Sequence, residues 1–92
     1  MNKPRRKRIE KALDQVRELK DKVEEIRDEI EYIKDEEQEA YDNLPEPIQY
    51  SERGEAMQEN VDTLESVYDS LDEACDNLQE AIENAEEALE NC

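Results

Sequence analysis

From Ile9 onward the apolar residues recur in alternating steps of three and four: Ile9, Ala12, Val16, Leu19, Val23, Ile26, Ile30, Ile33. With Ile9 at heptad position a, ten of the eleven a and d sites from Ile9 to Leu44 are apolar, and Glu37 is the exception. With Val61 at a, all eleven a and d sites from Met57 to Cys92 are apolar, Tyr68 and Cys75 among them. A sustained 3.5-residue period predicts two long coiled-coil helices.

Between them lies "NLPEPIQYSERG". Pro45 and Pro47 stop the first helix, because the residue before a proline avoids the α region. Pro4 is a favoured first-turn residue, and Ser51 with Glu52 suits the start of the second helix. The expected elements are helices at about 4–43 and 52–91, joined by a loop at about 44–51. A loop that short returns the chain antiparallel to itself. The charges beside the seam agree: position e offers Lys20, Arg27 and Lys34 on the first helix and Glu65, Asp72 and Glu86 on the second. Arg27 is expected between Glu65 and Asp72, Lys20 near Asp72, and Lys34 near Glu65. The ends agree as well. Cations in "KPRRKR" and anions at Glu86, Glu87 and Glu90 each oppose their own helix dipole, and each is tolerable only beside the other. The expected fold is all-α, an antiparallel two-helix coiled-coil hairpin spanning residues 1–92 as one domain.

Position g of the second helix is apolar too, at Val67, Ala74, Ala81 and Ala88. That is more apolar surface than one partner helix needs. Either the stems of Arg8 and Lys22 cover these small residues, or further helices pack there. A lone two-helix hairpin buries few side chains against the entropy of so many ordered residues. The favoured expectation is therefore a homodimer forming a four-helix bundle, with Val67, Ala74, Ala81 and Ala88 as its seam.

Composition narrows the chemistry. The chain is 45% charged with a net charge of −17, and it has no His, Trp or Phe and a single Gly. Such a balance would suggest disorder, but the heptads overrule it. There is no Gly-rich phosphate loop and no nucleophile set beside a base. Neither a calcium-loop pattern nor a zinc cluster occurs. No enzyme activity, metal or cofactor is expected. Cys75 reads as a small core residue. Cys92 can form an intermolecular disulfide on oxidation, but Cys75 and Cys92, 17 residues apart on one helix, are too distant to bridge within the chain. With no apolar run of membrane-spanning length and no apolar stretch behind the basic N-terminus, the expected location is the cytoplasm, with no membrane contact.

The acids fall in rows. Position f of the first helix reads Asp14, Asp21, Asp28, Asp35 and Asp42, and position b of the second reads Glu55, Asp62, Asp69, Asp76, Glu83 and Glu90. Each row repeats at about 10.5 Å. Residues 28–92 hold 23 acids against Lys34 and Arg53, a density that repels itself. One reading is a solvated face that keeps the protein in solution. The other is a nucleic-acid-like surface offered to a basic groove on a partner protein. The basic arm "KPRRKR" admits direct DNA binding, but its neutralising role at the end of the second helix fits the hairpin better, and the net charge repels phosphate. Nucleic acid is therefore an unlikely partner from sequence.

The segment "YDNLPEPIQYSERGEAM" followed by "VDTLESVYDSLDEACDNLQEAIENAEEAL" resembles a group of small acidic helical proteins of phages and mobile elements of Gram-positive bacteria. The resemblance spans roughly residues 41–90. It is most specific at Asn43, Leu44, Pro45, Glu46, Gln49, Ser51, Glu52, Arg53, Gly54 and Glu55. It implies a context rather than a site: an inhibitor that binds a host or defence protein with a basic surface. The alternatives are a structural adaptor acting through coiled-coil packing, and DNA binding through the arm. At the loop, Leu44, Ile48 and Tyr50, with Tyr41 beside them, either plug the end of the hairpin or form an exposed tip that docks a partner. Gly54, at a core-facing position in the first turn of the second helix, favours the plug by letting the loop approach.

Overall fold

A computed structural model describes residues 2–91. Its elements are α1 (Lys3–Asp42), the single turn α2 (Glu46–Gln49) and α3 (Glu52–Glu90), with no strand among the described residues. α1 and α3 lie antiparallel as a hairpin rod measuring 69 × 14 × 14 Å. α1 begins at Lys3, one residue before the expected start, because the Asn2 side chain accepts the Arg5 N–H at 2.9 Å. At the same end of the rod, Arg6 Nη1 reaches across and donates to the Leu89 carbonyl at 3.1 Å. α3 has no basic residue in its last turn, so α1 supplies the cation its dipole favours. Cys92, and the oxidation chemistry expected of it, lie outside the described residues.

The tip is more ordered than a loop. Pro45 opens α2, whose turn is closed by Ile48 N–H and Gln49 N–H donating to the Pro45 carbonyl at 2.8 and 3.1 Å. The Gln49 side chain then donates to the Tyr41 carbonyl at 3.2 Å. Ser51 stands at the start of α3 in extended conformation, but its hydroxyl donates back to Ile48 O and makes no cap bond. Gly54 is buried against this turn. A Cβ there would stand 2.6 Å from the Ile48 carbonyl oxygen and closer still to that of Gln49. The residues divide between the two expected roles: Tyr41 and Leu44 are half-buried, while Ile48 and Tyr50 are exposed.

The seam itself departs from the heptad expectation on one helix. On α3 every described a and d position is buried or half-buried, with Val61, Cys75 and Ile82 at its centre. On α1 the inward positions are a and e, not a and d. Leu13, at e, is 4% exposed, whereas Leu19, Ile26 and Ile33, at d, are 51%, 45% and 38% exposed. α1 has turned so that Leu13 and the half-buried stems of Lys20, Arg27 and Lys34 lie at the seam, and the Arg27 head reaches Asp72 of α3.

Candidate functional site

The turn of α1 gives the hairpin two unlike sides. In an antiparallel pair the e positions of both helices share one side and the g positions the other. The e side collects the acid rows. All eleven row residues are exposed: Asp14, Asp21, Asp28, Asp35 and Asp42 on α1, and Glu55, Asp62, Asp69, Asp76, Glu83 and Glu90 on α3. Asp14 and Glu90 line one shallow cleft between the helices, with Glu10, Arg17 and Glu86. Asp21 lines the next, opposite Gln79 and Glu86. The two rows therefore border a common surface, with the α1 cations running down its middle.

Those cations are unevenly used. Arg27 Nη1 bonds Asp72 at 3.0 Å across the seam, and its Nε and Nη2 bond Asp28 at 3.1 and 3.0 Å. Asp28 first, and then Asp72, hold the guanidinium charged beyond its already high ordinary value. Arg17 spans Asp14 at 3.3 Å and Glu86 at 3.6 Å. Lys20 pairs along its own helix with Glu24 at 3.1 Å, not with Asp72 as expected. Lys34 and Glu65 make no ion pair among the described residues.

The consequence is a division along the rod. Among the described residues, no ion pair lies beyond Asp28 on α1 or before Asp72 on α3. Residues 29–71, the tip half, hold fourteen acids against Lys34 and Arg53, a net of −12. Residues 1–28 with 72–92, the open half, hold fifteen acids against ten cations, a net of −5. Most of the chain's charge therefore sits where nothing in the fold offsets it.

The g side is different in kind. The expected seam residues Val67 and Ala81 are exposed there, and Ala74 and Ala88 are half-buried. Beside them run the exposed d residues of α1, which the heptad reading had assigned to the interior. Every acid of α3 occupies position b, e or f. Its c positions read Ala56, Thr63, Ser70, Asn77 and Asn84, so the c and g rows carry no acid along the whole helix. That gap was legible in the sequence, through a row-by-row reading of α3; the turn of α1 was not.

No helix among the described residues is long and apolar enough to cross a membrane. Comparisons with protein families, with curated proteins and with solved structures found no match to this chain.

Proposed function

We propose that this chain is a non-catalytic interaction protein whose tip half presents a nucleic-acid-like negative surface to a basic groove on a partner protein. The observation that carries this reading is the net charge of −12 on residues 29–71, without an ion pair there among the described residues. Uncompensated charge of one sign costs stability through self-repulsion. A surface that keeps that cost while the other half balances its charges is best accounted for by a partner that supplies the cations. Asp35, Asp42, Glu55, Asp62 and Asp69 are the row residues in this half. The partner in this reading is a host or defence protein of the cytoplasm that ordinarily handles nucleic acid, and the chain itself acts as a homodimeric four-helix bundle of phage or mobile-element origin.

The second reading, an assembly adaptor acting through helix packing, draws on the exposed row Leu19, Ile26 and Ile33. Direct DNA binding by the arm has less support, since Arg6 is engaged on the Leu89 carbonyl. Capture from a bacterial lysate with the immobilised protein, followed by mass spectrometry, separates the three. The proposal expects a basic, nucleic-acid-binding protein that elutes with salt and is lost when Asp35, Asp42, Asp62 and Asp69 become asparagine. Salt-insensitive capture that survives those substitutions favours the adaptor. A gel shift of free DNA that disappears on removal of residues 1–8 favours the arm.

A further inference from the structure

The side of the hairpin on which α3 carries no acid has a property that a surface for an unrelated partner would not need: it is complementary to itself. The Arg27–Asp72 bond sets the register of the two helices. Carried along the rod, that register puts Leu19 level with Ala81, Ile26 level with Ala74, and Ile33 level with Val67. Large side chains on α1 thus stand beside smaller ones on α3, at matching heights and on one side. A twofold rotation about the rod axis exchanges the two rows. It lays the large row of each copy on the small row of the other.

We propose that a second copy of this chain covers this side, with α1 of each copy lying on α3 of its partner and both tips at the same end. The inference rests on the dimer reading above and adds which surface is used and how the copies are oriented. Three observations carry it besides the size match. The first is exposure: Leu19, Ile26, Ile33 and Val67 are all more than a third exposed in the single chain. The second is charge: in a chain that is 45% charged, the c and g rows of α3 hold no acid. Thr63, Ser70, Asn77 and Asn84 would flank the α1 g residues Arg8, Lys22, Glu29 and Glu36 of the other copy, and neutral polar side chains tolerate either sign. The third is size: a footprint of the rod's 69 Å length and 14 Å width is on the order of 1,000 Å² per copy, enough for a stable interface. Closely approaching Ala-lined helices also need no side chain to move aside. In this arrangement the acids of α3, all at b, e and f, stay on the outside of the bundle.

The test combines sedimentation equilibrium on the full chain with a distance between tips. The wild type is expected to be a dimer at micromolar concentration in moderate salt. Ala81→Glu, which places a charge in the covered row, should raise the dissociation constant roughly 100-fold or more. Ser66→Glu, at an exposed f position outside it, should leave the constant within about twofold. Ala81 is exposed in the single chain, so Ala81→Glu keeps its helix by circular dichroism. Nitroxides attached through a keto amino acid at Tyr50 should lie well under half the 69 Å rod length apart in the dimer. Equal weakening by Ala81→Glu and Ser66→Glu overturns the assigned surface. A tip separation near the rod length overturns the orientation. A strict monomer overturns the dimer reading itself, whatever the variants do.

Discussion

The two halves of this rod share one helical period and one core, yet they treat charge in opposite ways. In the open half, Arg6, Arg17, Lys20 and Arg27 each have a carboxylate within 4 Å, and the pairs Arg17–Glu86 and Arg27–Asp72 cross the seam. In the tip half the described residues form no ion pair, although fourteen acids crowd there. The open half uses its acids to set the direction in which the chain folds back. The tip half holds its shape by other means, through Pro45, the α2 turn and the bare backbone at Gly54. Acids that do not serve the fold, and that weaken it, are the ones to assign to a partner.

The largest expected effect tests how the tip is held. Gly54→Ala drives a Cβ into the Ile48 and Gln49 carbonyls, which are backbone and cannot swing away. A loss of about 1–3 kcal/mol in urea unfolding is expected. A loss of a few tenths would mean that the tip is not held by this packing. Next in size is the contrast in binding. Against an arginine-rich peptide at low salt, neutralising Asp35, Asp42, Asp62 and Asp69 should weaken affinity at least ~10-fold by calorimetry, and the same number of changes at Glu10, Asp14, Glu24 and Glu86 by no more than about twofold. Equal losses would erase the distinction between the halves. Smaller again is Arg27→Gln, which removes the cross-seam bond to Asp72. It should lower the urea midpoint, and the deficit should shrink as salt rises, because salt already weakens the wild-type pair.

The heptads made the hairpin legible in the sequence, because apolar residues at a and d leave few other arrangements, and a short Pro-containing connection leaves one direction. The cross-seam pairing of Arg27 with Asp72 and the close approach at Gly54 were legible for the same reason: register and chain reversal determine them together. The turn of α1 toward position e was not. Leu19, Ile26 and Ile33 read as core from their spacing, but Leu13 and the half-buried stems of Lys20, Arg27 and Lys34 take the inward place, and of those three cations only Arg27 pairs across the seam. The acid rows were visible as rows, but their division by half depends on which cations the fold lets reach them. The role of the rows and of Val67, Ala74, Ala81 and Ala88 is not written in periodicity at all.

The most direct test of this account compares two neutralised chains in one urea titration, without any partner. One carries Glu10→Gln, Asp14→Asn, Glu24→Gln and Glu86→Gln, each a paired acid of the open half. The other carries Asp35→Asn, Glu59→Gln, Asp62→Asn and Asp69→Asn in the tip half, where the described residues form no ion pair. Each change is worth a few tenths of a kcal/mol, about 1 kcal/mol for the set. The account predicts opposite signs: the first chain less stable than the wild type, the second more stable. Shifts of the same sign in both chains would contradict it.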